Sequence, residues 1–330
     1  MSLTRPRIGF LGVGWIGRHR MEAMLETGTI EAAAFADPSD DMAAEAAKLA
    51  PGAKRVEGLD GLLAEGLDGI VIATPSALHA EQSIRALEAG AAVFCQKPLG
   101  RTAAEAASVV AAARSANRLL AVDLSYRFTE GMKQIRGLLA DGALGNVYAA
   151  DLVFHNAYGP DKAWFYDPDL SGGGCVMDLG VHLVDLALWA LDFPKVATVD
   201  AQLIAGGAPL SPGKVEDYAV AQIGLENGVS IRLACSWRLP AGREAVIEAS
   251  FYGTQGGAAL RNVGGSFYDF TAERFRDTTA ETLAEPPESW GGRAAADWAT
   301  RLSEGHAFDA EAERLVNVAS VLDRIYGRSA

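Results

Sequence analysis

The stretch "RIGFLGVGWIG", residues 7–17, decides the fold. Arg7 to Leu11 form a short apolar run that reads as a strand. It meets Gly12, Gly14 and Gly17 at once, and helical spacing follows through "WIGRHRMEAMLETG". Gly12 permits a tight turn, Gly14 lets a pyrophosphate approach the backbone, and Gly17 allows close contact between helix and strand. "IEAAAFAD" reads as a second strand ending at Asp37, 20 residues after Gly17. A carboxylate there can accept hydrogen bonds from an adenosine ribose and repels a 2′-phosphate. Strand, glycines, helix, strand and acid in this order read as a dinucleotide site. NAD is the expected cofactor and NADP the alternative, because Arg18 and Arg20 lie close in sequence.

The same grammar runs on to about residue 124. "SDDMAAEAAKLA" is a helix capped by Ser39 or Asp40. "DGIVIATP" is a continuous apolar strand of the kind covered on both faces. "SALHAEQSIRALEAG" is a helix closed by Gly90, followed by the strand "AAVFC", the helix "TAAEAASVVAAARSAN" and the strand "LLAVDLSY". Strands alternating with helices predict a Rossmann-type doubly wound parallel sheet over residues 1–124. Beyond it the pattern changes. The helix "TEGMKQIRGLLADG", the alternating "NVYAADLVFHN" and the strong helix "CVMDLGVHLVDLALWAL" precede a series of β-like segments. "ENG" at 226–228 looks like a hairpin turn. Residues 125–330 are therefore predicted to form an α+β domain with a large, mostly antiparallel sheet. "AEPPESWGGR" is read as a loop and the C-terminal segment as an amphipathic helix.

Bulk properties narrow the function. The 330 residues carry a formal net charge of −13, which disfavours a nucleic-acid partner. No apolar run of membrane-spanning length and no apolar leader stand out, so no membrane partner and a cytoplasmic location are expected. Cys95, Cys175 and Cys235 are too far apart for a disulfide framework or a zinc site. The 5 histidines show no metal-ligand spacing, so no metal is expected.

The chemistry gathers elsewhere. In a doubly wound sheet ligands bind at the carboxyl ends of the strands. "ATPSALH", Ala73 to His79, ends one strand, and Gln96 with Lys97 ends another. Pro98 then reads as a bend that aims Lys97, through a cis peptide bond. The expected cofactor contacts are Gly12, Gly14, Trp15, Ile16, Gly17, Asp37, Thr74, Pro75, His79, Gln96 and Lys97. On the later apolar helix, Asp178 and His182 are four apart and share one face. Asp185, three further on, is read as orienting His182 or pairing with an arginine.

Four stretches, "GFLGVGWIGRHR", "FADPS", "IATPSALHAEQSIRALEAGAAVFCQKPLGRTAAEA" and "GGGCVMDLGVHLVDLALW", resemble the glucose–fructose oxidoreductase/inositol dehydrogenase (Gfo/Idh/MocA) family. The family's acid–Lys–Pro motif is similar to Gln96–Lys97–Pro98, and its Asp-x3-His pair falls on Asp178 and His182. The departure is Gln96, where the family usually has Glu. The resemblance implies an NAD(P)-dependent oxidoreductase that moves a hydride between nicotinamide and a secondary hydroxyl or carbonyl of a polyol, sugar or sugar derivative. Lys97, His182 and Asp178 are then the catalytic candidates. An imidazole with an ordinary pKa of about 6.5 suits a general base, and the ammonium stabilises a developing alkoxide. Tyr126, Arg127, His155, Trp164, Asp178 and His182 are the expected substrate contacts. A dihydrodiol or other carbonyl oxidoreductase of the same build is one alternative. A dinucleotide-binding sensor without turnover is another. One open face of the second sheet is expected to bury against a second copy, giving a homodimer or homotetramer.

Overall fold

The computed structural model describes residues 5–328. Residues 1–4, which the expectation of no leader includes, and residues 329–330 lie outside the described residues. In chain order the first elements are β1 (Arg7–Leu11), α1 (Trp15–Glu26), β2 (Glu31–Ala36), α2 (Asp40–Leu49), β3 (Lys54–Arg55), α3 (Gly58–Leu63), β4 (Gly69–Ile72), α4 (Ser76–Glu88), β5 (Ala92–Cys95), α5 (Ala103–Ala116) and β6 (Leu120–Val122). There follow α6 (Glu130–Ala140), β7 (Val147–Asn156), α7 (Pro168–Ser171), a π-helical turn (Val176–Gly180) and α8 (Val181–Ala190). The chain ends with β8 (Val196–Ala205), β9 (Ala208–Pro209), β10 (Tyr218–Leu225), β11 (Ser230–Ser236), β12 (Ala245–Gly253), β13 (Gly256–Asn262), β14 (Phe270–Arg276), β15 (Thr279–Ala284), α9 (Arg293–Ser303) and α10 (Arg314–Ile325).

Two compact units result. The first takes the described residues up to Asp123 together with Gly292–Val316, and the second takes Leu124–Gly291 with the residues from Asn317 onward. The first unit holds a parallel sheet in the order β3-β2-β1-β4-β5-β6, the doubly wound arrangement. β4 and β5 are wholly buried, which explains their unbroken apolar sequences. Ser39 caps α2 by accepting from the Met42 N–H. The sequence placed residues 292–316 in the second domain. They join the first because Trp298 of α9 is fully buried beside Phe94, with ring centroids 5.9 Å apart. Gly69 makes room for that indole, since a Cβ there would lie 2.7 Å from the Trp298 ring.

The second unit holds a nine-stranded sheet, ordered β15-β14-β13-β12-β7-β11-β10-β8-β9. Its pairs are antiparallel except β7 with β11. The β10–β11 hairpin turns at residues 226–228, with Gly228 at φ +88°. β7 alternates as its sequence demands: Ala150, Leu152 and Phe154 are buried and their neighbours less so. The helix predicted as one continuous α-helix opens instead with the π turn, ahead of α8. Gly264 and Gly265, both at positive φ, turn the chain between β13 and β14.

Candidate functional site

In the first unit the loop between β1 and α1 is built by its glycines. Gly12 sits at φ +85°, and a Cβ on it would lie 2.6 Å from the Ala73 carbonyl oxygen. A Cβ on Gly17 would lie 2.1 Å from the Gly12 carbonyl oxygen, so the helix presses on the turn only because both are glycine. Gly14 caps α1 and puts no side chain over its first turn, an end that attracts phosphate. Trp15 is exposed there and stacks on His19, and Ile16 is half-buried. Asp37 closes β2 against this loop. One carboxylate oxygen accepts from the Val13 N–H at 2.8 Å and the other from the Ser39 N–H at 2.9 Å. Each oxygen keeps a lone pair for a further donor. Loop and acid therefore fit the pyrophosphate and ribose of a dinucleotide.

At the ends of β4 and β5 the outcome is mixed. Thr74 gives its hydroxyl to Gln82 at 2.6 Å, and Pro75 precedes the first residue of α4. His79, expected to touch cofactor, is buried. Its ring nitrogens lie 2.7 Å from the carbonyl oxygens of Pro98 and Thr74. Burial lowers its pKa, opposed by those two carbonyls. The imidazole braces the two loops against each other. Gln96 has an internal partner too. It is buried, and its amide nitrogen donates to the carboxylate of Asp123. From Ala91 to Gly100 Lys97 alone escapes burial, and the Lys97–Pro98 bond is cis.

In the second unit the polar pair stands on an otherwise closed helix. From Ser171 to Leu188 every residue is buried except Asp178 and His182. The π turn spans Asp178, and such turns recur at functional sites. Asp178 accepts from the Trp237 indole N–H at 3.0 Å. His182 meets Tyr126 edge-on at 5.0 Å and Phe154 at 6.4 Å. Tyr126 is itself buried among Phe154, Phe270 and Trp290, and burial pushes its phenol pKa up. It is a platform for the imidazole, where an open substrate contact was expected.

Two more of the expected contacts have partners of their own. Arg127 forms a bidentate pair with the buried Asp185, its Nε 2.7 Å from one carboxylate oxygen, and faces Trp189 and Phe193. That guanidinium is committed to structure, and Asp185 has the arginine partner its sequence position allowed. His155 follows Phe154 on β7. Since Phe154 faces His182, strand alternation turns His155 to the other side of the sheet. There it hydrogen-bonds Ser236 at 2.7 Å and stacks on Tyr218, and burial lowers its pKa. Trp164 stacks on Phe165, whose ring meets Trp237 edge-on at 6.3 Å, so its loop does border the partner of Asp178.

Sequence reasoning missed Trp237 and Glu216. The Glu216 carboxylate is fully buried. It accepts from the N–H groups of Gly174 and Val176 at 3.0 and 2.9 Å and from the Tyr326 hydroxyl at 2.8 Å. Its main-chain carbonyl takes the Cys175 N–H at 3.0 Å. The start of the helix that bears Asp178 is thus capped by a side chain 42 residues beyond Gly174. Gly174 is obligatory, because a Cβ would lie 1.9 Å from the Glu216 carbonyl oxygen. A lone acid before a strand carried no signal of this role.

Comparison with known proteins follows the same division. Residues 6–124 match the family model of GFO/IDH/MocA oxidoreductases with an NAD-binding Rossmann fold, and residues 132–259 match that of the GFO/IDH/MocA C-terminal domain. D-glucoside 3-dehydrogenase of Escherichia coli is 32% identical over 67% of this chain, and the match spans 64% of that relative's length. A relative from Amycolatopsis mediterranei, named for the oxidoreductase subunit of a UDP-kanosamine synthase, is 30% identical over 97% of this chain and 95% of its own. A solved levoglucosan dehydrogenase in complex with NADH and levoglucosan shares the fold. Its TM-score is 0.85 at 21% identity, over 98% of this chain and 97% of the other.

Proposed function

This chain belongs to the GFO/IDH/MocA oxidoreductase family, and from that premise we propose that it is a dehydrogenase of a sugar, polyol or sugar derivative. It uses NAD in preference to NADP. The observation that carries the reading is the exposure pattern: in two tightly buried stretches, only Lys97 in one and Asp178 with His182 in the other remain reachable.

Bound NAD supplies the hydride acceptor. The glycine loop and Asp37 hold the dinucleotide. Arg18 is engaged with the Val13 carbonyl and Met42, Arg20 with Asp123, and Arg55 with Asp40, which leaves Asp37 to set the preference against a 2′-phosphate. His182 is assigned the part of base for the hydroxyl proton. Lys97 stabilises the oxygen as its charge grows. Asp178, steadied by Trp237, binds a second hydroxyl. The names of sequence relatives support the substrate class: they include a D-glucoside 3-dehydrogenase and a levoglucosan dehydrogenase.

We assign the second sheet's outer face to self-association. Val220, Ala234 and Val153 lie side by side across β10, β11 and β7, beside the Arg232–Asp151 ion pair. A screen of polyols, sugars and glycosides, following reduced nicotinamide by absorbance, tests the function. Turnover of a carbohydrate alcohol supports it, and no reduction with any of them contradicts it.

A further inference from the structure

We propose that Asp123 is a positioning residue for Lys97, acting through a buried Arg20–Asp123–Gln96 triad. Asp123 follows β6 directly, and its N–H donates to the Cys95 carbonyl at 2.9 Å, which sets it beside the end of β5. Its carboxylate is 2% exposed. One oxygen accepts from the Arg20 Nε at 2.6 Å and from the Gln96 side-chain amide. Arg20 lies on α1, which starts at the glycine loop, and its Nη1 meets the His19 Nδ1 at 2.8 Å. Burial, then Arg20, lowers the His19 pKa, so that ring accepts from the guanidinium as a neutral group. The triad therefore joins the helix of the glycine loop to the residue immediately before Lys97. It also fixes the direction of the Gln96 side chain and with it the backbone that presents the lysine.

The charges explain the amide. The Arg20 guanidinium faces the Asp123 carboxylate, and the neutral Gln96 donates to that carboxylate. A glutamate at 96 would set a second carboxylate against Asp123 in a buried place, which favours a proton held on one of the two. The negative charge that the resemblance places at position 96 stands at position 123 in this chain. The His19 ring and the Cys95 thiol lie near enough to feel the Asp123 charge, the thiol being raised to about 12 mainly by burial.

The test is a charge swap, and its kinetic arm relies on the dehydrogenase reading. Three variants are compared with wild type: Asp123→Asn, Gln96→Glu, and the two together. Melting temperature is followed from pH 5 to 8, NAD affinity by calorimetry, and kcat and KM on the best substrate. Asp123→Asn should lower the melting temperature and reduce kcat on the order of tenfold to a hundredfold, with KM little changed, since small misplacements of a reacting group cost that much. In Gln96→Glu the carboxyl pair binds a proton more tightly folded than unfolded. Its melting deficit should therefore be largest at pH 8 and shrink toward pH 5. The double variant restores one carboxylate, one amide and one guanidinium, and should regain most of the melting temperature and of kcat. A double variant no better than the worse single one overturns the triad. An Asp123→Asn enzyme that melts early but keeps its kcat overturns the positioning role. Absence of wild-type turnover would sink the dehydrogenase reading alone, and melting and NAD affinity would then still decide the triad.

Discussion

The Trp237 indole N–H donates to Oδ2 of Asp178 over 3.0 Å, joining the residue after β11 to the π turn. Trp237 also packs against Phe165 and Tyr166, so one side chain couples the loop before α7 to the acid on the helix. Trp237→Phe keeps an aromatic ring and removes the donor. A hydrogen bond to a charged group contributes about 1.5–3 kcal/mol, so kcat/KM should fall by roughly tenfold or more. Steady-state kinetics beside a melting curve checks this. Unchanged kcat/KM would remove Asp178 from substrate binding.

The Arg127–Asp185 pair predicts a stability effect where the sequence suggested a binding effect. Removing one partner of a buried ion pair costs roughly 3–5 kcal/mol. Arg127→Ala should lower the melting temperature sharply and leave the KM of the folded fraction near wild type. A raised KM at unchanged stability would return Arg127 to the substrate.

Glu216 gives a pH dependence. Burial raises its pKa, opposed by the hydrogen bonds from Val176, Tyr326 and Gly174. A raised carboxyl holds its proton more tightly in the folded state, so stability falls as pH climbs from the ordinary carboxylate range through the folded value. Glu216→Gln removes that ionisation. The melting advantage of wild type over this variant should therefore be greater at pH 5 than at pH 8. Glu216→Ala strands the Gly174 and Val176 N–H groups, at about 1–3 kcal/mol for each buried donor. A difference independent of pH would show that Glu216 keeps an ordinary pKa.

The first sheet was legible because its signals are local. Glycines at 12, 14 and 17, an acid at 37 and alternating apolar runs each act within one βαβ unit. The pairings that hold several of the expected site residues are long-range. Arg127 meets Asp185 58 residues away, and Gln96 meets Asp123 27 residues away. His155 reads as a loop-side ligand until the parity of β7 is known, because a strand's faces follow from what one neighbour touches. His79 carries a polar ring that any sequence reading would send to the site, yet two main-chain carbonyls hold it. Residues 292–316 return to the first unit through a tryptophan whose partner, Phe94, lies 204 positions earlier.

The self-association proposed for the outer face of the second sheet has a direct test. Light scattering at micromolar concentration should give a dimer or tetramer, and a charge placed at Val153, as in Val153→Glu, should shift it toward the monomer. A wild-type mass of 34.7 kDa would contradict the assignment.

The most direct measurement is turnover of Lys97→Ala and His182→Ala on the carbohydrate substrate, with NAD affinity followed in parallel by fluorescence quenching. Positioned acid–base and charge-stabilising groups contribute about 10²–10⁴-fold, and the pyrophosphate is assigned to the glycine loop. The account predicts kcat losses of that order in both variants, with NAD binding within a few-fold of wild type. Wild-type turnover in Lys97→Ala would contradict it.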